Sequence, residues 1–134
     1  MFRDNADGAT SLYLAQPAGQ SLRKTTENNH GGSSMAVAEM PSGNFVYAWS
    51  TYRWLGNIGV NEIEYTLLNR YGETVRAVSK LTNNSGAAVN TYDYPVVAVA
   101  PNGHIGALFY RALYNSTNES NYNIYFAVLN RFPN

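Results

Sequence analysis

Residues 35–49, MAVAEMPSGNFVYAW, lie on residues 95–109, PVVAVAPNGHIGALF, without a gap. Pro41 falls on Pro101, Gly43 on Gly103 and Trp49 on Phe109, each sixty positions on. Farther along the offset becomes sixty-one, so that Ile63, Tyr65, Leu68 and Asn69 meet Ile124, Phe126, Leu129 and Asn130. A third, partial copy opens the chain: Leu12, Leu14 and Ala15 of SLYLAQPAG match Ile124, Phe126 and Ala127. A fixed period of this length is the mark of a protein built from stacked supersecondary units, none of which buries its apolar face alone.

Each unit spells strand, turn, strand. Pro41-Ser42-Gly43-Asn44 and Pro101-Asn102-Gly103-His104 interrupt two apolar runs, with proline setting φ for the turn and glycine taking the positive-φ position. After each turn apolar residues alternate, Phe45, Tyr47 and Trp49 in one copy and Ile105, Ala107 and Phe109 in the other, with the period of two that a strand requires. The intervening residues are also largely apolar, as in a sheet packed between two neighbours. A Gly- or Asn-rich stretch follows, 55–61 or 115–121, and is expected to be a loop. A third strand comes next, NEIEYTLLN or YNIYFAVLN, and a fourth, ETVRAVSKLT at 73–82, follows the turn Asn69-Arg70-Tyr71-Gly72; SLRKTTEN at 21–28 is the fourth strand's counterpart after Gly19. The expected chain is all-β, with nine strands and no helix.

Four antiparallel strands per unit, repeated about two and a quarter times at roughly sixty residues, is the logic of β-propeller blades. A β-sandwich is the competing architecture, since nine strands at this spacing also suffice for one. The 134 residues are taken as a single all-β unit: a partial repeat at 1–29, a full repeat at 30–93 and a partial repeat at 94–134. Two blades leave open faces and edges, so the expected partners are further blades of a parent chain or other copies of this one.

Composition narrows the partners. Nine Lys plus Arg balance nine Asp plus Glu, and charged residues make up only 13% of the chain, so nothing attracts a nucleic acid or an anionic membrane. The 11 Tyr, 2 Trp, 5 Phe and 17 Asn describe surfaces of aromatic rings and amides. With no cysteine there is neither a disulfide framework nor a thiolate metal site. The opening MFRDNADGATSLYLAQ has neither the basic start nor the apolar run of a signal peptide, and no segment reaches the ~18 apolar residues of a membrane helix.

Chemistry-bearing patterns are few. His30 and His104 lie far apart, without ligand spacing around them, and are assigned to surface turns. Asp4, Asn5 and Asp7 before Gly8 have a loose likeness to a calcium loop but lack its distal glutamate, and are assigned to a polar N-terminus. Glu62 and Glu64 share one strand face, whereas glycosidase carboxylates confront each other across a cleft, and the pair is expected to face solvent. Sequons at Asn83, Asn115 and Asn118 mark exposed loops. No nucleophile elbow or phosphate-binding glycine loop occurs. The expectation is therefore a protein without enzymatic activity, without metal and without cofactor.

What stands out is aromatic clustering at the ends of the two second strands: Tyr52, Arg53 and Trp54 in one copy, Tyr110, Arg111 and Tyr114 in the other. Rings stack on sugar faces or anchor protein contacts, and arginine donates to hydroxyls, so these six are the candidate ligand-binding residues. The alternative role for such rings is packing between blades.

Pro-(Ser/Asn)-Gly before an aromatic strand, Ile-x-(Tyr/Phe)-x-x-Leu-Asn at the end of the unit, and YPVVAVAPNG at the start of the last one together resemble the extracellular propeller repeats of the sialidase-like superfamily, over residues 34–130. The resemblance implies blades and an extracellular or cell-surface location. The Ser-x-Asp-x-Gly-x-x-Trp box of sialidases is absent, and their arginine and Tyr-Glu set comes from many blades, so no catalytic residue carries over. The expected function is a binding or scaffolding module that recognises glycans or proteins; the alternatives are a fragment of a sialidase-type glycoside hydrolase and a structural subunit of a symmetric oligomer or filament.

Overall fold

The computed structural model describes residues 34–84, 89–114 and 120–129, together with three short strand segments nearer the N-terminus. Its strands are β1 (Phe2–Asp4), β2 (Ser11–Leu14), β3 (Arg23–Lys24), β4 (Met35–Glu39), β5 (Phe45–Leu55), β6 (Ile58–Leu68), β7 (Thr74–Lys80), β8 (Val89–Val99), β9 (Ile105–Tyr114) and β10 (Ser120–Leu129). All pairings are antiparallel between consecutive strands, giving sheets β1-β2-β3, β4-β5-β6-β7 and β8-β9-β10. The protein is all-β, and no helix occurs among the described residues.

The sequence repeat reappears as a repeat of register. Val37 pairs with Tyr47 and Glu39 with Phe45; sixty residues on, Val97 pairs with Ala107 and Val99 with Ile105. Likewise Phe45 opposes Leu68, and Ile105 opposes Leu129. The hairpin turns are also duplicated: Met40 N–H donates to Asn44 O at 2.7 Å and Gly43 N–H to Met40 O at 2.8 Å, while Ala100 N–H donates to His104 O and Gly103 N–H to Ala100 O, both at 2.8 Å. Gly43 and Gly103 sit at φ 81° and 82°, a conformation a Cβ disfavours, which is why glycine is the residue that closes both turns.

Three features differ from expectation. Residues 55–61 are not a loop: Leu55 pairs with Ile58, and only Gly56 and Asn57 turn the chain, with Gly56 at φ 60°. A two-residue hairpin with positive φ matches the strand twist, so β5 and β6 run on to the tip. An extra strand, β1, precedes the anticipated set. The third unit's first strand, β8, starts at Val89, ahead of the boundary expected at 94.

Sheets β4–β7 and β8–β10 are joined by an apolar core in which Val46, Ala48, Ile63 and Leu67 meet Val97, Ile105, Ala107, Phe109 and Leu129. The opposite face of β5 and β6 is buried as well, around Tyr47, Trp49 and Leu68; Tyr47 and Trp49 stack with ring centroids 4.7 Å apart, while β7 is largely exposed. Burial on both faces explains why β5 is apolar at successive positions rather than alternating.

Candidate functional site

Tyr52 and Trp54 project from one side of the β5–β6 hairpin, 50% and 66% exposed, with their rings edge-to-face at 5.6 Å. Gly59 makes room for this pair: a Cβ there would lie 1.8 Å from the Tyr52 hydroxyl oxygen and 2.5 Å from its Cζ. Two large rings set edge-to-face beside a two-residue turn leave a solvent-exposed apolar surface at the end of the β5–β6 ribbon.

Arg53 points to the other side of the hairpin, where strand register sets it beside Thr51, Glu62 and Glu64. Its Nε lies 3.0 Å from Glu62 Oε2, and its Nη2 donates to Glu64 Oε1. Lys80 Nζ, from the neighbouring strand, reaches the same Glu62 oxygen at 3.3 Å, and Thr51 Oγ1 donates to Glu64 Oε2 at 3.0 Å. The other Glu62 oxygen accepts from Asn84 N–H at 3.2 Å. Glu62 is thus not solvent-facing as its strand pattern suggests, but 2% exposed. A carboxylate is tolerated there because two cations and an amide replace its water. Strand periodicity carries no signal for this, since the partners come from β5, β7 and the segment after β7.

The second candidate triplet divides between two faces. Tyr110 lies on the outer face of β8–β10, with Tyr94 edge-on at 6.1 Å and Tyr122 stacked at 5.4 Å. Arg111 lies on the inner face, where Nε donates to Asn90 Oδ1 at 2.7 Å and the guanidinium covers the Tyr125 ring at 5.2 Å while bonding its hydroxyl. Tyr114 ends β9, and its side chain falls outside the described residues. By register the position equivalent to Tyr110 is Ser50, not Tyr52, so the two triplets are not copies of one site.

A residue that sequence reading did not single out is Tyr94, whose φ of 54° is the one positive value at a non-glycine among the described residues. It sits in a bulge between Asp93 and Val96. Its N–H donates to Asp93 Oδ1 at 2.8 Å and to Ser34 Oγ at 3.0 Å, while Asn61 Nδ2 donates to Asp93 Oδ2 at 2.7 Å and Ser34 Oγ donates to Asp93 Oδ1. These bonds across the sheet interface hold a bulky residue in a region it rarely occupies.

His104 is exposed beside its turn, as expected, and His30, Asn5 and Asp7 lie outside the described residues. Among the described residues no three His, Asp or Glu side chains gather in a way that could hold a metal. Burial pushes the Tyr92 phenol above its ordinary 10.0; Arg111 partly opposes the shift, and Tyr125 and Glu62 add to it. A scan against protein-family models and searches of curated proteins and of solved structures give no match to this chain.

Proposed function

We propose that the chain is a non-enzymatic binding module at a cell surface or outside the cell, built from propeller-type blades, that recognises a glycan through the Tyr52–Trp54 hairpin tip. The observation that carries the reading is the exposure of that ring pair on a tight turn. Apolar area of this kind is favourable to bury, and an exposed indole with a second ring set edge-on beside it offers a face for the C–H side of a sugar ring, while Arg53 stays tied to Glu62 and Glu64 on the other side of the hairpin. The blade reading is supported by the repeated register and by a four-strand meander whose strands β5 and β6 are buried on both faces. It needs two stacked blades and the hairpin, and no closed ring.

The non-enzymatic part is supported by the ion pairs of Glu62 and Glu64, which tie both acids to cations and leave them side by side on one strand. A glycosidase requires one acid free to give up a proton and another across the scissile bond.

The test is titration of the chain with a panel of neutral oligosaccharides, followed by tryptophan fluorescence and saturation-transfer NMR. Expected is binding to at least one sugar, lost in Trp54→Ala and weakened about tenfold in Tyr52→Ala, with both variants folded. Binding that survives Trp54→Ala, or a folded chain that binds no sugar on the panel, overturns the glycan reading; release of reducing sugar overturns the non-enzymatic one.

A further inference from the structure

The outer face of β8–β10 is apolar and open. Ile124 and Phe126 are 80% and 64% exposed, and Val96, Leu108 and Val128 stand beside them. Tyr94 and Tyr122 extend the patch toward the end of the sheet, and no charged side chain lies among its exposed members. Register identifies this surface. Val96, Leu108, Ile124, Phe126 and Val128 occupy the repeat positions of Ala36, Ala48, Ile63, Tyr65 and Leu67. Those five belong to, or pack against, the core between the two sheets, on the face of β4–β7 that β8–β10 covers. One sheet face is buried in one unit and bare in the next.

The two faces differ at one end. Where β4–β7 receives Asp93, it offers Ser34, Ser50 and Asn61, with Ser34 and Asn61 bonded to the carboxylate. The equivalent positions on the outer face are Tyr94, Tyr110 and Tyr122, a packed row of rings. Residue 93 is Asp in this unit and its repeat equivalent is Ser33, so only a further unit with an acid at that position, docked as β8–β10 is docked, would bring a carboxylate against three aromatic rings in place of hydroxyls and an amide, a poor match. Rings and aliphatic side chains on the incoming surface suit this face, and the face itself presents that set.

We propose that a second copy of this chain covers the outer face of β8–β10 through its own outer face, making a two-fold sheet-on-sheet dimer. The area is sufficient: the exposed parts of the seven side chains amount to roughly 800 Å² per copy, the size of a standard stable interface and above the usual largest apolar patch of a monomer. A two-fold contact uses one surface twice and closes at two chains. With no charge on the patch, the like-on-like contact meets no repulsion. This contact is independent of the ligand reading, because Tyr52 and Trp54 lie on the other sheet's hairpin.

The test is light scattering after size exclusion on the full chain, from about 1 to 200 μM, with Ile124→Lys, Val128→Lys and, as a control on the outer strand β7, Val75→Lys. The wild type is expected at twice the chain mass across most of this range. Ile124→Lys and Val128→Lys are expected to run as monomers with the wild-type far-UV spectrum, and Val75→Lys as a dimer. Because Ile124 and Val128 are largely exposed in the single chain, at least one of the two retains the fold. A folded wild-type monomer at 200 μM, the result if another protein or a further blade of a longer chain is the occupant, overturns the proposal. So does a dimer that both lysine variants leave intact, or a mass that climbs past two chains with concentration, as head-to-tail stacking gives.

Discussion

Replacing Glu62 by glutamine removes one charge from a buried network while keeping the side chain's shape. Glu62 faces Arg53 at 3.0 Å and Lys80 at 3.3 Å, and both cations are partly in water, their side chains 38% and 49% exposed. An exposed pair contributes about 0–1 kcal/mol, and breaking a fully buried one costs about 3–5 kcal/mol. With a buried acid and half-solvated partners the expected cost lies between, about 2 kcal/mol. Glutamine retains an oxygen for the Asn84 N–H but presents an uncharged NH₂ group where the carboxylate oxygen is ion-paired with the two cations. For a domain of 134 residues this lowers Tm by about 7 °C. Urea unfolding at pH 7 measures it, with an unchanged m-value showing that the native and unfolded states keep their compactness. Combining Glu62→Gln with Lys80→Met isolates the pair, and the double variant is expected to cost less than the sum of the singles. A loss under about 0.5 kcal/mol for Glu62→Gln refutes the reasoning, because it means the burial of this acid depends on neither cation.

Two further outcomes follow from the geometry. Burial raises the Tyr92 phenol above 10.0, so the folded chain holds this proton more tightly than the unfolded chain does; the stability that is complete below pH 10 is lost as pH rises through the folded value. Urea midpoints between pH 9 and 12 should fall less steeply in Tyr92→Phe than in the wild type, and equal slopes count against Tyr92 as the source. In Gly59→Ala the new Cβ displaces the Tyr52 ring, an outer side chain free to swing, so stability changes by less than about 1 kcal/mol, while the Tyr52–Trp54 contact breaks and the Trp54 emission shifts. An unchanged emission, measured with Trp49 replaced by phenylalanine, shows that the contact does not depend on Gly59.

The repeat, the all-β class and the placement of the hairpin turns are legible in the residues alone. A turn needs proline and glycine at fixed positions, as in Pro41-Ser42-Gly43 and Pro101-Asn102-Gly103, and a strand needs period two; both are local rules that act within a few residues. The extent of β5 and β6 was harder to see, because Gly56-Asn57 inside a Gly- and Asn-rich stretch reads as the centre of a loop until strand pairing on both sides reduces it to two residues. The candidate site was half legible. Tyr52 and Trp54 stand exposed at the hairpin tip, but the parallel drawn between the two aromatic triplets fails in register, since Tyr110 corresponds to Ser50 and lies on the opposite face from Arg111.

Only the tertiary structure decided that Glu62 is buried, that Tyr94 is held at positive φ, and that one face of β8–β10 lies bare. Each depends on partners that the chain brings from elsewhere: Lys80 and Asn84 to Glu62, Ser34 and Asn61 to Asp93 beside Tyr94. Alternation along a strand tells which residues share a face, and whether that face meets water, an ion pair or another sheet depends on what packs across it.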